Sequence, residues 1–286
     1  MKDLIKRTAF PIILFGSISI IYWFDNSPTI AYVMMLIGIL IAVLLERYIP
    51  YQKDWNVPKG DTKIDIIHFI INSFLGSAVK VGSVALVAGL GGLYAQETGI
   101  NFWISDAPLV LQIISAIIIS GFLPYWIHRW SHESTGVLWR IHSVHHSSER
   151  LYWANAVKFH PFNSAWNVFF SSLPLLLLGV GEEVIFLSGI ISNYVAFFNH
   201  TNIDFRLGWM TWVFNMNELH RWHHSKKIEE ANSNYSAGAF VFWDIVFGTR
   251  LLPSKIIKEV GLFENSAKKY PMFSYWKQLL YPFKGK

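Results

Sequence analysis

Residues 109–132 read LVLQIISAIIISGFLPYWIHRWSH, an apolar run from Leu109 to Ile127 that ends directly on His128, with His132 four positions further on. A helix rises 1.5 Å per residue, so the run covers most of a ~30 Å hydrocarbon core. Residues four apart on a helix share a face. The stretch therefore predicts a membrane helix that presents two imidazoles side by side at its end. Reading outward from it, the rest of the chain repeats the same alternation of apolar runs and histidine-bearing polar segments.

The composition agrees with a bilayer protein. Of 286 residues, 52% are hydrophobic and 15% charged, and the mean hydropathy is +0.33; a soluble domain carries about a quarter charged residues. The 13 Trp and 12 Tyr are types that favour the membrane–water boundary. Cysteine is absent, which excludes disulfides, thiolate metal sites and a cysteine nucleophile. The net charge of +5 comes mostly from tails and loops, so it points to anionic headgroups and not to nucleic acid.

Upstream, Lys2, Lys6 and Arg7 precede a first run, Ala9 to Phe24, and the turn Asp25–Thr29 leads to a second, Ile30 to Leu45. More apolar runs follow and no small-residue cleavage site does, so the first is read as a span and not as a secretory signal. A polar segment, 46–63, precedes a third run from about Ile64 to Ala95, with Asp65 near its start and Lys80 in its middle. That run is about 48 Å of helix, longer than the core, so either its start lies in the interface or it breaks near Gly82. A loop through Glu97-Thr98-Gly99 and Asp106-Ala107-Pro108 leads to the quoted stretch. Downstream, Trp166 to Phe198 folds on itself at Gly179–Glu183 as a hairpin, and 254–286 is a lysine-rich tail that reads as a surface segment. The positive-inside bias places the N-terminus and 46–63 in the cytoplasm; four crossings then return His128, His160 and His200 to that side.

The expected fold is all-α and integral to the membrane: about four transmembrane helices plus a helical hairpin, with a cytosolic helical cap holding a histidine-rich dimetal site. The expected division is a transmembrane region over 1–110, a catalytic domain over 111–252 and a cytosolic tail over 253–286.

Ten of the 11 histidines lie between 128 and 224. His128 and His132 form an H-x3-H pair, and His142, His145, His146 and His220, His223, His224 form two H-x2-H-H triplets; His160 and His200 stand singly. In a helical H-x2-H-H triplet the first and last two positions project as a fork, so adjacent imidazoles reach different ions while the first shares one of them. The three groups supply enough nitrogens for a dinuclear centre, and neutral imidazole suits Fe, Zn and Cu. The candidate ligands are His128, His132, His142, His145, His146, His160, His200, His220, His223 and His224. Glu133, Glu149, Asp204 and Glu218 are candidates to support them. His68 reads as structural, and Trp130, Trp139, Trp153 and Trp222 either flank the site or, the reading preferred, act as interfacial anchors.

At these residues the sequence resembles the fatty acid hydroxylase / sterol desaturase superfamily. The resemblance runs over about 120–250: His128–Glu133, His142–Glu149, Phe159-His160-Pro161, Asn199–Asn202, His220–Ser225, Asn234-Tyr235 and Trp243–Thr249. The Ser147-Ser148-Glu149 flank looks like the alkylglycerol monooxygenase branch as well as bacterial sterol-desaturase-like proteins. The resemblance implies two Fe ions, O2 as co-substrate and hydroxylation or desaturation of a C–H bond in a lipid such as a fatty acyl chain, sterol or alkylglycerol. Some family hydroxylases carry two histidines four apart before the last motif; here His200 is followed at that spacing by Asp204. The tenth ligand is then His160, Asp204 or a water held by Asn199 or Asn202.

No His-Pro-Gly-Gly haem signature occurs. Gly89-Leu90-Gly91-Gly92 begins like a dinucleotide loop, but Tyr94 stands where its third glycine should fall. Electrons must therefore come from a separate reductase, ferredoxin or cytochrome. Two rivals stand beside this reading. A membrane zinc hydrolase needs about three protein ligands, fewer than this chain offers. A metal transporter or sensor would place ionisable residues within its spans, whereas these histidines sit at the ends of apolar runs.

Overall fold

The computed structural model describes residues 1–98, 102–134 and 136–284, with side chains throughout except in 76–98, where they are described at only some positions up to 89. The expectations placed on the Lys80 side chain, on Gly99 and on the side chains from Leu90 to Tyr94 lie outside the described residues. Regular structure among the described residues is helical, with only isolated bridges besides. The principal helices are α1 (Lys2–Trp23), α2 (Pro28–Tyr48), α3 (Thr62–Thr98), α4 (Leu109–Glu133), α5 (Val137–His146), α6 (Pro161–Leu177), α7 (Glu182–Phe198) and α8 (Asn217–His223).

Three of these, α1, α2 and α4, are long and apolar enough to cross a membrane among the described residues. Each is longer than its apolar run because the flanking aromatic and polar residues continue the helix. Ser27 caps α2, its hydroxyl accepting from the Ile30 N–H, with Pro28 at the first helical position. α3 runs through Gly82 without a break and includes Glu97 and Thr98, which the sequence reading placed in a loop. α6 and α7 form the predicted hairpin about Gly179, whose φ of 75° suits a residue without Cβ. α6 begins at Pro161, earlier than the apolar run, with His160 as its cap.

α6 packs against α3 and α4, and α7 against α4, α1 and α2. The polar ends of the long helices meet at one end of this bundle. Glu46, at the close of α2, accepts from the backbone N–H groups of Trp153 (2.7 Å) and Asn202 (2.9 Å). Asp61 holds Arg150 with two bonds of 2.8 and 2.9 Å, and Asp65 pairs with buried Lys158 at 2.6 Å. Lys6 pairs with Asp204 at the start of α1. Carboxylates that look isolated in the sequence thus fasten the histidine-bearing cap to the ends of the apolar helices.

The tail departs from its expected place on the surface. Ile257, Val260, Leu262, Tyr270, Tyr275 and Gln278 are buried. Gln278 Oε1 meets His68 Nε2 at 2.7 Å, so His68 has the structural role expected of it. The short helix Tyr275–Leu280 therefore straps α3, its scattered aromatics filling gaps that charge-based reading could not see.

Candidate metal centre

α4 carries His128 and His132 one turn apart, α5 carries His142, His145 and His146, and α8 carries His220 and His223 with His224 at its end. His200 follows α7 directly. These nine imidazoles form two adjoining buried groups: His128, His132, His142, His146 and His223 in one, and His145, His200, His220 and His224 in the other. The fork is the predicted one. In each triplet the last two histidines part, one to each group, and the first joins one of them.

The nitrogens within each group lie within 4.8 Å of one another. Metal–imidazole bonds are ~2.0–2.1 Å, so two ligands facing across an ion stand about 4.2 Å apart, and each group has room for one ion. The facing atoms are all Nε2: His128 to His142 at 3.0 Å, His142 to His146 at 3.0 Å, and His132 to His146 at 3.1 Å. In the second group His145 faces His200 at 3.1 Å, His200 faces His220 at 2.9 Å, and His220 faces His224 at 3.0 Å.

The far nitrogens decide what those contacts are. Nδ1 of His128 meets the Tyr235 carbonyl at 2.7 Å, that of His223 the Ser233 carbonyl at 2.8 Å, and that of His142 the Asn163 amide oxygen at 2.8 Å. Nδ1 of His145 meets the Lys158 carbonyl at 3.2 Å and that of His200 the Ala196 carbonyl at 3.0 Å. An oxygen that only accepts requires the proton on Nδ1. The inward Nε2 atoms of these rings therefore carry lone pairs. His128 against His142, and His145 against His200, are lone pair against lone pair, which no hydrogen bond satisfies and a cation does.

Burial also favours the neutral, ligating form. Desolvation first, and neighbouring imidazoles second, hold His142, His145, His146, His220, His223 and His224 well below the ordinary histidine range. Burial lowers His200 to about 4.

Two of the orienting carbonyls come from one loop. Asn234 adopts φ 51°, a left-handed conformation that asparagine tolerates. Its side chain bonds the carbonyls of Leu219 and Leu251 and the Leu251 N–H. Asp244 accepts from the N–H groups of Tyr235 (2.7 Å) and Ser236 (2.9 Å) and from the Thr249 hydroxyl (2.7 Å). So Asn234-Tyr235 and Trp243–Thr249 form a clamp that aims His128 and His223. Sequence reading noticed both stretches without a role, and missed Asn163 altogether. Its only signal was an amide side chain in the first turn of a largely apolar helix, beside Ser164.

The proposed supporting carboxylates do not touch the cluster. Glu133 pairs with Arg129, Glu149 with Lys226, Asp204 with Lys6, and Glu218 accepts from the Leu207 N–H. Backbone carbonyls and Asn163 orient the rings in their place. His160 also stands apart: its Nδ1 accepts from the Phe162 N–H and its Nε2 meets the Leu279 carbonyl at 3.1 Å. Asn202 is engaged with Gln52 and Asn56, whereas Asn199 lines a cavity beside His200. Trp139 is no interfacial anchor. It is buried, 5.3 Å from His132 and 5.7 Å from His146 between ring centres, and stacks on Phe263 at 4.7 Å.

A profile described as fatty acid hydroxylase matches residues 113–249. The chain is 31% identical over 265 residues to the ornithine lipid hydroxylase OlsE of Rhizobium tropici, covering 89% of this chain and 76% of that protein. It is 32% identical over 169 residues to the alkylglycerol monooxygenase of Danio rerio, covering 56% of this chain and 36% of the relative. The human alkylglycerol monooxygenase is 31% identical over 137 residues, or 47% of this chain and 29% of its own length. No solved structure matches. The match to the profile contains every histidine of both groups, and the similarity to a bacterial relative continues through most of the remaining chain. On these grounds the chain belongs to the fatty acid hydroxylase family of membrane oxidoreductases.

Proposed function

We propose that this chain is a di-iron lipid hydroxylase, with one ion held by His128, His132, His142, His146 and His223 and the other by His145, His200, His220 and His224. The observation that carries the reading is the set of inward Nε2 lone pairs fixed by outward Nδ1 hydrogen bonds. Five imidazoles about one position exceed the four ligands of a structural zinc and the three of a catalytic zinc. This favours iron and disfavours the hydrolase. Gathering of the whole set at one end of the apolar helices, with His128 and His132 in the last turns of α4 and not midway along it, disfavours transport.

Bound iron supplies activation of O2, and the overall change balances as RH + O2 + two electrons + two protons → ROH + H2O. The chain contributes the rest. The Asn234–Asp244 clamp and Asn163 hold the imidazoles in one tautomer, and the cap keeps bulk water from the reacting carbon. Hydroxylation is favoured over desaturation because the bacterial relative is an ornithine lipid hydroxylase and the animal ones are monooxygenases. A polar membrane lipid is accordingly the substrate class.

The electrons come from a separate donor. A cavity of about 760 Å³ reaches His132 past Trp139 and Phe263, with Arg140, Lys269 and Lys284 around it, an approach suited to a donor with an acidic face. α3 is read as the third of four crossings, beside α1, α2 and α4, the α6–α7 hairpin as membrane-embedded, and the cap as cytoplasmic. The catalytic unit is taken as 111–252, preceded by the transmembrane region and strapped by 253–286.

The test is mass spectrometry of membrane lipids after incubation of the iron-loaded protein with ¹⁸O2 and a chemical reductant. The expected product is a lipid carrying one labelled oxygen, dependent on reductant. Iron-loaded protein that adds no oxygen to any lipid of its own membrane contradicts the proposal.

A further inference from the structure

A cavity of about 150 Å³ opens beside His142, His145 and His200. It shares Asn167, Ala196 and Ala237 with a second of about 190 Å³. That one shares Ser171, Ser192 and Asn193 with a third of about 150 Å³ reaching Leu175 and Ile185. Together they form a passage between α4, α6 and α7. From Asn163 to Leu175 on α6, at 1.5 Å per residue, its length is about 18 Å.

Its walls are not what a bare hydrocarbon requires. α6 presents Asn163, Asn167 and Ser171 at spacings of four, and α7 presents Ser188 and Ser192 in the same way. Pro124 has no N–H to give the Ser120 carbonyl its helical partner, and both residues line the passage. The hydroxyls of Ser120, Ser171 and Ser188 donate back to their own helices, which leaves their oxygens as acceptors. Asn167, Asn193 and Asn199 make no side-chain hydrogen bond to the described protein. Asn199 is only 4% exposed, its Oδ1 is buried without a partner, and it faces the passage at the metal end. A buried amide oxygen without a partner is costly, so Asn199 is satisfied by what enters, while Asn167, half-buried, and Asn193, exposed, offer further amides along the passage.

We propose that the passage admits a lipid by its hydrogen-bonding portion, an amide or ester linkage, and that the oxidised C–H bond lies close to that linkage and far from the terminal methyl of an acyl chain. Asn167 stands one helical turn, about 6 Å, from Asn163, whose oxygen holds His142. A carbonyl held at Asn167 or Asn199 thus brings carbons a few bonds away from it to the metal ligands. This rests on the hydroxylase reading and narrows its substrate to carbons near a polar linkage.

The experiment measures binding of tritiated N-methylhexadecanamide and of hexadecane to the detergent-purified, iron-loaded full chain, alongside Asn167→Leu and Asn199→Leu. The wild type is expected to hold the amide at least tenfold more tightly than the alkane. Each substitution is expected to lose about tenfold for the amide and leave the alkane unchanged. Equal affinity of the wild type for both probes, or variants that bind the amide like the wild type, overturns the proposal. The wild-type comparison stands even where a variant does not fold. Iron content is read on the same samples. A chain that holds no iron contradicts the hydroxylase reading, whereas an iron-loaded chain that binds both probes alike contradicts only the assignment of the passage.

Discussion

Replacing Asn163 isolates the role of ring orientation from that of ligation. Its amide oxygen is the acceptor for His142 Nδ1 at 2.8 Å, in a position 2% exposed. Asn163→Leu keeps the branched outline of the side chain but strands the Nδ1–H and frees the ring to rotate or to move its proton to Nε2, the ligating atom. Loss of a partner of this kind lowers metal affinity about 10–100-fold, or about 1.4–2.7 kcal/mol at 1.36 kcal/mol per decade. Asn163→Asp retains an acceptor at the same place, and its charge strengthens the bond, so its affinity should equal or exceed that of the wild type. The assay is competition with a graded series of iron chelators, followed by iron analysis of the repurified protein. An Asn163→Leu protein within twofold of the wild type would refute the argument that outward hydrogen bonds set the ligating tautomer. So would an Asn163→Asp protein as weak as the leucine variant.

Further outcomes follow from the same geometry. Asp244→Ala removes the acceptor for the Tyr235 and Ser236 N–H groups, and should release iron from the five-histidine group while sparing the other, read by metal analysis. Asp61→Asn leaves Arg150 buried without its ion pair and should cost about 3–5 kcal/mol in the denaturation midpoint. Burial raises the Asp61 carboxyl, but its two bonds to Arg150 outweigh that and hold it below 3.8. The stabilisation is therefore full above pH ~4 and lost as the pH falls through the lowered value, and Asp61→Asn should flatten the wild-type acid limb there. Trp139→Leu should slow reduction by a protein donor without changing iron content, because the ring packs on His132 and His146 but ligates nothing. Equal reduction rates in stopped flow would remove Trp139 from the electron path.

What the sequence disclosed follows from periodicity. The run ending at His128 announced a helix that delivers ligands, and the H-x2-H-H spacing announced the fork, because both are properties of one helix turning 100° per residue. The bonds from Glu46 to Trp153 and Asn202, and from Asp61 to Arg150, span about a hundred residues or more and leave no local pattern. The same holds for the Ser233 and Tyr235 carbonyls, which are backbone atoms invisible to residue type; only the left-handed Asn234 hints at them. The tail misled because its lysines are spaced among aromatics whose burial depends on contacts with α3 and α5. Glu133, Glu149, Asp204 and Glu218 misled because proximity in sequence was taken for proximity in space, and each has a cation or an N–H nearer than any imidazole.

The most direct test of the two-ion account is iron stoichiometry in the gently purified wild type, in His132→Ala and in His200→Ala, one substitution from each group. The account predicts two irons per chain in the wild type and loss of a different single ion in each variant, so that combining the substitutions removes both. One ion per chain in the wild type, zinc in place of iron, or full occupancy in either variant would contradict it.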